Sequence, residues 1–214
     1  MQVISIKNKK LKESLEWFSN WLLVECREKL PELYCPTPNI SADESCSAEY
    51  LFSRQQRPPI ETGFPLESLG FDINSSITKY LPEGWDSINR EMDRRMISAI
   101  GVEFSALKMY YPPNGFIGWH NNCNCHGQNL IMTYTPPGGS GYFEYQDPIT
   151  KELIRMYDTE GWTAKVGYFG SDKDPGKIIW HCARNYDIPR ITVSYVIRDQ
   201  WMWEEMVSDI ESDQ

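Results

Sequence analysis

Apolar residues recur every three or four positions near the start of the chain, at Leu11, Leu15, Phe18, Leu22, Cys26 and Leu30. This period predicts an amphipathic helix over 9–30 that Pro31 stops. Its stripe is a core-packing face rather than a partner-binding one. A second stripe, Ile88, Met92, Met96 and Ala99, predicts a helix over 85–99, with Asp86 or Ser87 as cap. Neither stripe can build a core alone, so both need a partner surface. Between them, residues 31–80 are punctuated by Pro31, Pro36, Pro38, Pro58, Pro59 and Pro65, with Ser, Asp and Glu crowding 41–49. They read as a long ordered arm or loop.

From Phe104 the pattern shortens to strands. They are expected at 104–110, 116–122, 129–135, 141–145, 152–157, 165–169, 177–182 and 190–198. Turn signals separate several of them: Pro112-Pro113-Asn114-Gly115, Pro136-Pro137-Gly138-Gly139 and Asp174-Pro175-Gly176. About eight strands at this spacing indicate a mainly β sandwich or barrel. The chain therefore divides into an N-terminal helical arm and cover (1–100), a β core (101–200) and an acidic, solvated tail (201–214).

A chain of 214 residues is one domain, large enough to fold without a disulfide or metal staple. Its 13% aromatic content excludes a disordered chain. Thirty acidic against 21 basic residues give a net charge of −9, which disfavours nucleic acid as a partner, a local basic groove aside. No apolar run is long enough for a signal peptide or a membrane span, so a cytoplasmic location is expected. In a reducing compartment the six cysteines are expected as thiols. They form no pair of Cys-x-x-Cys knuckles. Cys123, Cys125 and His126 could bind a soft metal, but they lack a second half at zinc-finger spacing. Ser140 lacks the spacing of a nucleophile elbow.

Only three histidines occur, His120, His126 and His181. His120 and His181 fall at ends of predicted strands. Alternation projects His120 and Asn122 to one face, where a third ligand from a neighbouring strand could complete a triangular metal face. Two imidazoles and one oxygen donor leave open positions of the kind non-haem Fe(II) oxygenases use. The strand from Arg190 puts Arg190, Thr192 and Ser194 on one face, against Ile191, Val193, Tyr195 and Ile197 on the other. An arginine beside a hydroxyl suits a carboxylate, and such an arginine is unusual to bury without an anion. The plainer alternatives are ordinary core histidines, Asn122 as a turn cap, and a surface pair of Arg190 with Asp187.

In this order and spacing His120, Asn122, His181, Arg190 and Thr192 resemble the 2-oxoglutarate and Fe(II)-dependent dioxygenases. That superfamily's pattern is His-x-Asp, a distant second His, then an Arg or Lys some ten residues on. Tyr111-Pro-Pro-Asn-Gly, Pro137-Gly-Gly-Ser-Gly-Tyr-Phe-Glu and Lys165-Val-Gly-Tyr-Phe with Trp180-His181 are similar to segments of the prolyl-hydroxylase-like branch. The resemblance covers roughly residues 104–200. It implies a double-stranded β-helix, or jelly-roll, with N-terminal helices packed on one sheet. It implies Fe(II) at His120, Asn122 and His181, and 2-oxoglutarate on Arg190, Thr192 and Tyr111, with Tyr110 the alternative to Tyr111. It also implies hydroxylation of a substrate C–H, a protein or peptide side chain such as proline being favoured, with decarboxylation of the ketoacid to succinate. Val196 stands where the base-repair branch has a second arginine, which weakens a nucleic-acid substrate.

Asn122 departs from the pattern, because it replaces a metal-binding carboxylate with a neutral amide. This opens a second reading, a non-catalytic jelly-roll binding or assembly module derived from such an enzyme. A third is a cupin-like metal-binding protein without 2-oxoglutarate.

Overall fold

The computed structural model describes residues 1–30, 38–56, 67–74 and 83–213. Eleven strands form two antiparallel sheets. In chain order they are β1 (Gln2–Ile4), β2 (Ser68–Leu69), β3 (Phe71–Asp72), β4 (Phe104–Tyr111), β5 (Phe116–Asn121), β6 (Gly127–Thr135), β7 (Gly141–Gln146), β8 (Leu153–Tyr157), β9 (Gly161–Phe169), β10 (Trp180–Asn185) and β11 (Arg190–Ile197). The larger sheet runs β1-β9-β6-β11-β4-β3, the smaller β2-β5-β10-β7-β8. From β4 to β11 the chain passes from sheet to sheet so that β4, β6, β9 and β11 lie in one and β5, β7, β8 and β10 in the other. This is the double-stranded β-helix, a jelly-roll. All eight strands expected from the sequence are present, within a few residues at each end.

Three apolar clusters follow from the alternation. In β11, Ile191, Val193, Tyr195 and Ile197 face a helical layer. The layer consists of α1 (Lys9–Asn20), α4 (Trp85–Ile100) and α5 (Gln200–Glu211). Leu11, Leu15, Phe18, Met92 and Met96 are fully buried there. A second cluster lies between the sheets and includes Met109, Tyr111, Ile117, Phe143 and Phe169. The third lies on the outer face of the smaller sheet. There Leu51 of α3 (Ala48–Gln55), which follows α2 (Ala42–Ser45), packs with Phe116 and Trp119.

The structure corrects several expectations. The first helix does not run unbroken to residue 30. Lys9–Asn20 is α-helical, a π-helical turn follows over Trp21–Glu25, and Cys26 N–H donates to the Trp21 carbonyl at 3.0 Å. The cap of α4 is Gly84 in the left-handed region at φ +87°, not Asp86 or Ser87; the Ser87 hydroxyl donates to the Gly84 carbonyl. The 31–80 arm is partly helical, since Ser41 and Ser47 cap α2 and α3 by accepting from Glu44 and Tyr50 N–H. Pro31, Pro36, Pro58, Pro59 and Pro65 lie outside the described residues. Residues 1–100 are not only a helical arm, because β1 adds an edge to the larger sheet and β2 and β3 join the two sheets.

The acidic tail is not a solvated terminus. Asp199 caps α5 by accepting from Met202 N–H at 2.9 Å. Met206 and Ile210 are buried against the helical layer, and the Ile210 carbonyl accepts from Lys7 and Asn8 N–H. Ile210→Ala is therefore expected to cost about 2–4 kcal/mol in urea denaturation, the loss typical of a core aliphatic side chain. A solvated tail would show no change.

Candidate active site

The two histidines meet because β10 pairs with β5 in the register His181↔His120, and their ring centroids lie 4.0 Å apart. The pairing contains an irregularity. Between the partners His181↔His120 and Ala183↔Ile117, β10 advances two residues while β5 advances three. This β-bulge at Gly118 and Trp119 lets Ile117 and His120, an odd number of residues apart, face the same interior. Phe116 and Trp119 both face outward. At Gly118 a Cβ would approach the Glu67 carbonyl to 3.0 Å and Ser45 Cβ to 3.2 Å, so a larger residue there would push these neighbours back.

His120, Asn122, His181, Tyr111, Arg190 and Thr192 all line one cavity of about 320 Å³ between the sheets. The structure thus brings together the six residues to which the resemblance gave the metal and ketoacid roles. Tyr110 faces the helical layer instead. Asn122 lies one residue beyond the end of β5. Its carbonyl accepts from Cys125 N–H at 2.8 Å, and its side-chain amide caps nothing in that turn. Cys123, Cys125 and His126 diverge: the first is buried, the second lines the cavity and the third is exposed. Among the described residues no three His, Cys, Asp or Glu side chains stand close enough to hold a metal.

Both imidazoles are buried and neutral. A carbonyl can only accept, so His120 Nδ1–H donates to the Gly118 carbonyl at 2.8 Å, and the His181 backbone carbonyl also faces the ring. His181 Nδ1 faces the Ile179 carbonyl at 3.3 Å in the same way. Fixing the tautomer through the other nitrogen is how metal-binding imidazoles are oriented.

Arg190 does bury against an anion, but the anion belongs to the protein. Its Nε donates to Asp158 at 2.8 Å, Nη1 to the Thr192 hydroxyl at 2.8 Å and Nη2 to the Thr133 hydroxyl at 3.3 Å. The partner is therefore Asp158, not Asp187. Lys165 Nζ also reaches Asp158, at 3.1 Å. The side chains of Arg190 and Lys165 are each 2% exposed and that of Asp158 0%, so two buried cations share one carboxylate. Burial pushes the Asp158 carboxyl up, but the two cations more than reverse this and hold it below the usual carboxylate range. The Tyr111 ring lies 5.2 Å from the guanidinium, and burial pushes its phenol up to about 12, so it stays protonated. Asp158, Lys165 and Thr133 were missed in the sequence; no spacing relates them to Arg190.

No protein-family model matches the chain, and no curated protein matches it in sequence. Among solved structures, a Pseudomonas putida prolyl-4-hydroxylase superposes over 92% of this chain and 92% of its own, at 13% identity and TM-score 0.44. OsALKBH1 does so over 92% and 97%, at 8% identity and TM-score 0.41. The viral collagen prolyl hydroxylase of Paramecium Bursaria Chlorella virus-1, solved with 2OG, covers 76% and 93%, at 11% identity and TM-score 0.29. All three scores are below 0.5, so the jelly-roll assignment stands on strand order and register. No described helix is long and apolar enough to cross a membrane.

The imidazoles make stability depend on pH. Burial pushes His120 down to about 4, and burial together with the neighbouring His120 pushes His181 down as well. Unfolded histidines take up protons near pH 6.5, before the folded ones do. Stability is therefore complete above about pH 6.5 and is lost as pH falls toward 4. Urea titrations in EDTA are expected to show a loss on the order of 3 kcal/mol from His120 over that window. The double variant His120→Gln/His181→Gln should flatten the profile, and an unchanged slope would mean the pair is not held neutral.

Proposed function

We propose that the chain is a 2-oxoglutarate- and Fe(II)-dependent oxygenase that hydroxylates a C–H bond of its substrate. The observation that carries this reading is one cavity lined both by two neutral, oriented imidazoles and by an arginine whose buried ion cluster holds one positive charge in excess. A buried uncompensated charge is costly, and an entering carboxylate would neutralise it. Arg190 and Thr192 would take that carboxylate, with the Tyr111 phenol as a neutral neighbour.

The donors fit a borderline divalent metal: His120 and His181 offer imidazole nitrogens and Asn122 an amide oxygen. These three residues would hold Fe(II). When bound, the iron supplies oxidation of the substrate C–H by O₂, coupled to decarboxylation of 2-oxoglutarate to succinate. The chain's own contribution is to orient the imidazoles through Gly118 and Ile179, to clamp the ketoacid, and to line the space with Ile117, Ile131, Phe143 and Leu107, which exclude water. A protein or peptide side chain such as proline is the substrate class we favour, on the resemblance of the 104–200 segment to the prolyl-hydroxylase-like branch.

A second reading has its own support. No carboxylate lines the cavity among the described residues, and Arg190 is already engaged by Asp158. Both features suit a jelly-roll that binds a small anion without turnover. Succinate formation from 2-oxoglutarate with Fe(II) and ascorbate decides between the two. The oxygenase reading expects succinate, and Arg190→Ala should weaken 2-oxoglutarate binding by about 2–5 kcal/mol in calorimetry with an unchanged circular dichroism spectrum. Binding without succinate would select the binding module, and unchanged affinity in Arg190→Ala would remove Arg190 from the site.

A further inference from the structure

We propose that the ketoacid, not the protein, supplies the negative charge a metal needs here, so that 2-oxoglutarate binds the metal-free chain first and the divalent ion enters afterwards. This deepens the oxygenase reading and rests on it. The argument begins with the charges that face the cavity. Among the described lining residues the only formal charge is Arg190, a cation. His120 and His181 offer imidazole nitrogens and Asn122 an amide dipole, none of them a carboxylate. A divalent ion arriving alone would meet three such donors and positive charge, with no carboxylate to offset its own.

The anion side is organised differently. Arg190 is held through Asp158, Thr192 and Thr133, all side chains of the chain itself. Lys165 from β9 shares Asp158 and leaves the cluster with its positive excess. A carboxylate entering beside Arg190 and Thr192 therefore meets a prepared partner and little reorganisation. 2-Oxoglutarate is a dianion. With one carboxylate on Arg190, its second carboxylate and keto oxygen give the cavity the anionic donors it lacks. Coupling of this kind is reciprocal, so each ligand must strengthen the other by the same factor.

The test uses the full chain, Mn(II) as the metal probe and two readouts independent of turnover. Calorimetry follows 2-oxoglutarate in EDTA, and the electron paramagnetic resonance signal of free Mn(II) follows metal binding. We expect measurable 2-oxoglutarate binding in EDTA, and Mn(II) affinity at least about tenfold higher with saturating ketoacid than without it. Asn122→Asp, nearly isosteric, should tighten Mn(II) alone and shrink that ratio to about threefold or less. Arg190→Ala should abolish both ketoacid binding in EDTA and the tightening of Mn(II). Equal Mn(II) affinity with and without ketoacid overturns the proposal. So does ketoacid binding that appears only with Mn(II), an outcome that leaves the oxygenase reading standing. If neither probe binds under any condition, both readings fall.

Discussion

Asp158 is the joint on which the interior depends. It lies where the chain leaves β8 of the smaller sheet for β9 of the larger, and its carboxylate holds Lys165 of β9 and Arg190 of β11. Taking three charges out of water costs several kcal/mol for each ion, and only close geometry with full hydrogen bonding offsets this. The cluster meets that condition for Arg190 through Thr192 and Thr133, aligned by the register Thr192↔Thr133. The approach of the loop also depends on Gly141. A Cβ there would lie 2.6 Å from the Arg184 carbonyl and 2.9 Å from Asp158 Oδ2. The same contacts that close the fold also fix the direction of the guanidinium beside the cavity.

The other half of the site depends on an irregularity. Simple alternation along β5 would set Ile117 and His120 on opposite faces. The bulge at Gly118 and Trp119 restores both to the interior, and Trp119 moves outward to fill the cluster under α3. Gly118, the first residue of the bulge, also supplies the carbonyl that accepts from His120 Nδ1–H. Bulges beside sites commonly re-aim a side chain in this way.

These details explain what could be read from the sequence and what could not. The eight core strands were visible because short strand-like runs follow one another, with glycine and proline turn signals between several of them. The division of β11 into Arg190, Thr192 and Ser194 against Ile191, Val193, Tyr195 and Ile197 was visible from its alternation. The helical stripes of α1 and α4 were equally plain. Hidden were β1, β2 and β3, two or three residues each, too short to show a period. In α5 the apolar positions Trp203, Met206 and Ile210 do stand three and four apart, but surrounding glutamates and aspartates gave the segment the composition of a solvated tail. Asp158 had no local signal. A buried ion pair joining residues 32 apart is a tertiary fact, and only the sheet topology reveals it.

The amide at position 122 also has a consistent electrostatic place. The chain as a whole carries −9, yet at a Debye length of about 8 Å that charge is largely screened from a buried pocket. What an entering ligand meets is local: Arg190 with its excess positive charge, two neutral imidazoles and Asn122. A carboxylate at 122 would attract cations, but it would also offset the positive excess that draws an anion into the same cavity. The amide keeps an oxygen donor beside the histidines and leaves that attraction intact. Under the proposed reading, the cavity with asparagine at 122 would be an anion site first, and its capacity for a cation would depend on what the anion brings with it.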